Sequence, residues 1–409
     1  MLPIIFILLG LSCTDDVTAT PEFTDFEKAS IRRMSWENLP YPTDSTNELS
    51  DQEHPRHTEI VEFGEKLFFS TALSEQGISC ATCHDPDKGF SDEKQVAEGV
   101  GQTTKNSPHL WNVGYQTWMF WDGRCDSLWC QATGPIENDL EMASSRTFVA
   151  SAIQNSPELL NYYTELFGDL PDMTNWTIGA KPNMETDEDG NSPWTAMTET
   201  DQHNATEVLV NIAKSIATYE ATILTTPAPI DQFIELYLED EDSALDSLTA
   251  SQRRGLALFV GEANCVLCHA GPLFSNGEFH NLGLGSRDWL PDSDIGRYQG
   301  ITSLRESEFN ALSDWSNDTT GMQAIRIPRL SQGSDQLGQY KTPSLRNLSQ
   351  TAPYMHGGHF DTIEEVLEFY NELPETPIQG HREESLQPLE LSDTDLEAIQ
   401  AFLTMLESP

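Results

Sequence analysis

Apolar residues recur at helical spacing in several stretches of this chain. In EIVEFGEKLFF, residues 59 to 69, a helix pattern carries Gly64, Leu67 and Phe68, and RRGLALFV, at 253 to 260, repeats that prelude as Gly255, Leu258 and Phe259. The repeat reads as an internal duplication. Leu209, Ile212, Ile216, Tyr219 and Ile223 share another helical face, which TTPAPI at 225 to 230 breaks, offering a domain boundary. Near the end, Ser392 can cap a helix whose Leu396, Ile399, Leu403 and Leu406 make one apolar stripe. No alternating run is long enough to suggest a sheet. Two stretches, 171 to 204 and 286 to 337, are rich in Asp, Asn, Ser, Thr, Gly and Pro and read as surface insertions. The pattern predicts an all-α chain: a leader at 1–13, a polar arm at 14–54, and two mostly helical domains of similar plan at 55–228 and 229–409.

With 409 residues and a hydrophobic fraction of 38%, the chain can build two ordinary cores. Its formal net charge of -44, from 66 acidic and 22 basic residues, argues against nucleic acid or an anionic membrane surface as partner. A basic protein partner is compatible with that charge, as is a plain solubility or high-salt adaptation. The opening MLPIIFILLGLSC is too short to span a bilayer and reads as an apolar export segment, with Cys13 a candidate lipidated N-terminus. A secreted protein without lipid and a mis-assigned start are the alternatives. The expected location is the periplasm, with membrane contact only through such an anchor.

CATCH at 80 to 84 returns as CVLCH at 265 to 269, and with 7 Cys and 10 His in the chain two such pentapeptides are not a chance arrangement. Two thiols three positions apart on a helical turn reach the two vinyl groups of one haem, and the next imidazole meets the iron from the same side. Cys80 and Cys83 with His84, and Cys265 and Cys268 with His269, are therefore read as two covalent haem c sites. A zinc knuckle would need further Cys or His at short range, which neither copy supplies. Whether such a protein is a carrier or a catalyst depends on the sixth position of each iron: a protein ligand there makes a relay, a vacancy a reaction site.

The stretch KNSPHLWNVGYQTWMFWDGRCDSLWCQATGPIENDLEM, 105 to 142, resembles the bacterial di-haem cytochrome c peroxidases and their relative MauG, and the resemblance continues through GPLFSNGEFHNLGL and YKTPSLRNLSQTAPYMHGG to the last helix. It implies two cytochrome-c-like haem domains, the N-terminal haem peroxidatic and the C-terminal one serving electron transfer. It also implies that Gln131, Pro135 and Glu141 form the distal pocket of the first haem, with Glu141 moving a proton between the oxygens of hydrogen peroxide. Read without the resemblance, a lone Glu is a solvated charge. Trp121 of FWDGR is the implied tryptophan between the haems, though on its own it reads as core. Asn106, Thr351 and Pro353 match calcium ligands of the family, oxygen donors that suit that ion.

Two departures bear on mechanism. The loop DPDKGFSDEKQVAEGVGQTTKNSP, 85 to 108, holds no His and no Met, so nothing in it caps the first iron, and His109 just beyond matches a non-ligand position. Fourteen positions after His356, where family peroxidases carry a Met, stands Tyr370, as in MauG. A phenolate lowers an iron potential and a thioether raises it. Tyr370 also shares a helical face with Ile363, Val366 and Leu367 and can be core, in which case Met355 or Met405 is the alternative ligand. Cys125 and Cys130 are about 8 to 9 Å apart on a continuous helix, too far for a disulfide, so either the helix starts after Cys125 and they pair or both stay reduced.

Three functions follow. The first is a peroxidase fed by an electron-donor protein, a small cytochrome or cupredoxin. The second is MauG-like oxidation of a side chain on a protein substrate, and the third is a non-catalytic di-haem relay.

Overall fold

The computed structural model describes residues 23–37, 39–284, 294–374 and 379–409, and the candidate leader with Cys13 lies outside them. The described residues form α-helices, short 3-10 turns and one two-residue antiparallel ladder, in keeping with the all-α expectation.

Helix α1 (Asp25–Arg33) starts at a reciprocal cap between Thr24 and Glu27. The α1 part of the polar arm at 14–54 packs against the second core. Ile31 and Met34 are fully buried, and Lys28 and Arg32 both reach Glu241, at 2.8 and 2.5 Å. Farther along, buried Asn47 donates to the Lys214 carbonyl at 3.1 Å. A few apolar anchors dock a segment once its polar groups find partners, and composition does not reveal them.

α2 (His57–Phe69), the single turn α3 (Cys80–Cys83), α4 (Leu128–Glu137), α5 (Arg146–Asn155), α6 (Pro157–Phe167) and α7 (Glu199–Glu220) enclose a first apolar core. Mid-chain, core membership passes from the first cluster to the second between Ile223 and Ala228. α8 (Pro229–Glu239), with proline in its first turn where no N–H is needed, opens the second half. α9 (Glu241–Ser247) and α10 (Ala250–Val260) follow. Next come strand β1 (Phe279–His280), α11 (Arg297–Glu306), α12 (Met322–Arg326) and strand β2 (Tyr340–Lys341), which pairs back with β1. α13 (Ile363–Glu372) and α14 (Asp393–Leu403) then close the second core. Ser392 caps α14 as predicted; Ile399, Leu403 and Leu406 are buried and Leu396 half-buried.

The duplication is physical. α2 crosses α7 and α10 crosses α14 at glycines: a Cβ on Gly64 would collide with the Ser215 carbonyl, and one on Gly255 with that of Ala398. Each half also has an asparagine in the left-handed region, Asn112 and Asn347, both with φ 59°. Asn112 Oδ1 accepts from the Thr225 amide just past α7, and Asn347 Oδ1 from the Ser408 amide just past α14.

The two presumed surface insertions are more than surface. Trp176, Ala180 and Met197 of 171–204 belong to the first core, while Leu304, Ala311, Ala324 and Ile327 of 294–337 pack with Trp118 in a third cluster. Their Asp-rich loops satisfy themselves locally, as where Asp318 accepts from the Thr320 and Gly321 amides, so sparse apolar anchors go unnoticed in the sequence. Residues 285–293 lie outside the described part. Among the described residues no helix is long and apolar enough to cross a membrane.

Candidate active site

Both Cys-X-X-Cys-His segments hold their histidine in the same way. His84 Nδ1 lies 3.2 Å from the Phe90 carbonyl and His269 Nδ1 2.9 Å from that of Phe274, and each of those phenylalanines has a left-handed backbone, φ 57° and 51°. A carbonyl only accepts, so Nδ1 carries the proton and Nε2 keeps its lone pair for a metal. Burial pushes both imidazoles down to about 4, which keeps them neutral as ligands must be. Burial also raises the thiols, Cys83 to about 11 and Cys265 to about 12. Among the described residues no group of three or more His, Cys, Asp and Glu side chains assembles a metal-binding cluster. The donor set fits haem c better than zinc.

Beside Cys265, Cys268 and His269 opens a cavity whose other walls include Trp121, Met355, His356 and Tyr370. Tyr370 on α13 faces the cysteines: burial, then the nearness of Cys265 and Cys268, raises its phenol strongly. Apolar Leu367 and Ile399 complete a lining suited to a porphyrin. Met405 is packed in the second core and is not on this wall, whereas Met355 is.

Near the first cysteine pair, α4 carries Gln131 and Pro135, and the turn after it brings Glu141 back. Met142 N donates to the Pro135 carbonyl at 3.1 Å, and the Glu141 carbonyl accepts from Val100 N at 2.8 Å. Gly99 leaves no room for a Cβ against Glu141. Burial raises the Glu141 carboxyl above its ordinary range, while Arg124 and a 2.6 Å bond from Asn138 oppose the shift. Its charge is felt by both Cys80 and Cys83. Gln131 is half-buried on α4. His109 is half-buried, close enough to Lys341 and His84 to feel their charge, and desolvation holds it down to about 4.

Trp121 is buried, donates Nε1 to the Asn106 carbonyl at 2.9 Å and meets the His356 ring edge-on at 6.5 Å. Asn106 donates its side-chain amide to the Lys94 carbonyl and its backbone N–H to that of His356. That contact ties it to the segment holding Thr351 and Pro353.

Cys125 and Cys130 form a disulfide with Cα atoms 5.7 Å apart. Ser127 caps α4, which begins at Leu128, so Cys125 lies outside the helix and the first of the two alternatives is the one observed. Sequence reasoning left the two alternatives open, though Ser127 three residues before Cys130 was a readable cap. It missed the stack of Tyr340 on His356, residues whose meeting nothing in the local pattern signals.

Residues 58–237 match the family described as di-haem cytochrome c peroxidase. A cytochrome-c peroxidase IdrP2 of Denitromonas iodatirespirans is 30% identical over 353 residues, covering 86% of this chain and 82% of that protein. The methylamine utilization protein MauG of Methylorubrum extorquens is 28% identical over 97% of this chain and 90% of its own length. Among solved structures, the diheme peroxidase BthA from Burkholderia thailandensis has a TM-score of 0.63 at 20% identity, covering 85% of this chain and 86% of that one, a likeness of fold.

Proposed function

This chain belongs to the di-haem cytochrome c peroxidase and MauG family and is an oxidoreductase of the peroxidase type, and from that premise we propose that it reduces hydrogen peroxide at the N-terminal haem with electrons passed through the C-terminal haem. Family membership implies covalently bound c-type haems. It also displaces the non-catalytic relay as a reading. In this account the segments 55–228 and 229–409 each carry one haem, through Cys80, Cys83 and His84 and through Cys265, Cys268 and His269. Bound there, the haems supply irons that exchange electrons and, where a sixth position is open, take peroxide.

The observation that carries the assignment is the half-buried Glu141 carboxyl beside the first cysteine pair, set against Tyr370 facing the second. Glu141, deprotonated, takes the proton from the nearer peroxide oxygen and returns it to the leaving one, so that peroxide, two electrons and two protons give two waters. Gln131 orients the peroxide, and Pro135 shapes the turn that aims Glu141. Tyr370 closes the far side of the second cavity, and Trp121, on its wall, carries electrons toward the first. Calcium at Asn106, Thr351 and Pro353 braces the segment behind Trp121. The donor is a small cytochrome or cupredoxin in the periplasm.

A second reading, oxidation of a side chain on a protein substrate, is favoured by Tyr370 together with the absence of His and Met from 85–108. Mixing the oxidised holoprotein with stoichiometric peroxide separates the two. Rapid turnover with reduced cytochrome c supports the peroxidase, and a long-lived oxidised state that ignores the cytochrome supports the protein-substrate reading.

A further inference from the structure

Tyr340, on β2, stacks face to face on His356, with ring centroids 3.5 Å apart and planes 12° from parallel. His356 meets Trp121 edge-on, and the Lys341 amide, one residue on, donates to the Trp121 carbonyl at 2.8 Å. The Tyr340 hydroxyl donates to Asp294 Oδ1 at 3.0 Å, and Asp294 is also paired with Lys105. Three features that favour oxidising a phenol thus meet at one side chain: a π-contact toward the tryptophan, a carboxylate on the O–H, and a lysine beside that carboxylate. Tyr354 lacks the second, since its hydroxyl donates to the Leu348 carbonyl, a poor proton acceptor.

We propose that Tyr340 is an oxidisable relay residue that fills the electron vacancy of Trp121 and ends as a neutral tyrosyl radical. The electron passes from the phenol through the stacked His356 to the one-electron-oxidised indole, restoring neutral Trp121. The O–H bond breaks in the same step, its proton going to Asp294, so a phenol, an indole radical cation and a carboxylate become a phenoxyl radical, an indole and a carboxylic acid. Hydrogen peroxide, through the peroxidase reaction, is the oxidant. Burial raises the Tyr340 phenol far above its ordinary value, so the species oxidised is the hydrogen-bonded phenol. The inference rests on the proposed role of Trp121.

The test is freeze-quench EPR of the oxidised holoprotein after one equivalent of hydrogen peroxide, with haem optical spectra recorded on the same samples. The expected result is a tyrosyl signal that narrows when tyrosines are ring-deuterated, is lost in Tyr340→Phe and is diminished in Asp294→Asn, while peroxide still changes the haem spectrum of both variants. A tyrosyl signal of full intensity in Tyr340→Phe, or no tyrosyl signal in a wild type whose haems react, overturns the inference alone. Haems whose spectrum peroxide leaves unchanged overturn the peroxidase reading and the inference with it.

Discussion

Asn138 donates its side-chain amide to Glu141 Oε2 at 2.6 Å, fixing a half-buried carboxyl where the first cysteine pair feels its charge. The bond favours the ionised form and burial the protonated one; burial wins, and the carboxyl titrates above its ordinary range. A base must be deprotonated to act. The rate constant for reaction with peroxide is therefore expected to rise with pH through an inflection above the usual carboxylate value. Glu141→Gln should lower it by about 10²- to 10⁴-fold and abolish the inflection. Stopped-flow measurements across pH check both.

Tyr370 lies on the wall of the second cavity, and in the proposed account its phenolate is a ligand of the haem held there. Replacing an anionic phenolate by a thioether in Tyr370→Met should raise the second reduction potential, and Tyr370→Phe should convert that haem from low to high spin. Potentiometric titration and EPR read the two effects. An unchanged potential would make Tyr370 a wall residue only.

The Cys125–Cys130 disulfide joins the loop after Trp121 to the start of α4. Its closed loop is short, so losing it in the Cys125→Ser, Cys130→Ser double variant should lower unfolding free energy by about 2 kcal/mol. Denaturant unfolding of the holoprotein measures this. Cytoplasmic expression without an oxidising environment should produce a similar loss.

Glu220, at the end of α7, is buried with Oε2 unpartnered, and burial pushes its carboxyl up to about 8. The folded state then holds its proton more tightly than the unfolded state, whose ordinary value is 4.5. This contribution to stability is present in acid and falls as pH rises between those values. Glu220→Gln should flatten that part of the stability curve, as urea melts at pH 5 and pH 8 would show.

Much of this was legible in the sequence because some constraints are local. Cys-X-X-Cys-His needs only a turn, Ser392 announces α14, and Gly64 and Gly255 sit where two helices touch backbone to backbone. What sequence reading missed depends on distant partners or on sparse anchors. Ile31 and Met34 dock residues 25–34, and nothing in their neighbours shows it. Arg297, read as part of a surface insertion, is buried with its guanidinium 4.0 Å from the Phe279 ring centroid and donating to the Gly123 carbonyl. Tyr340 and His356 lie sixteen positions apart, and Tyr340 sits in β2, which pairs with the distant β1.

The central claim is an asymmetry between the two haems, and ligand binding to the oxidised holoprotein tests it most directly. Titrating with cyanide while recording EPR and optical spectra should show one high-spin and one low-spin haem at the start, with one equivalent of cyanide bound at the first. Two low-spin haems that bind no cyanide and are unaffected by hydrogen peroxide would contradict it.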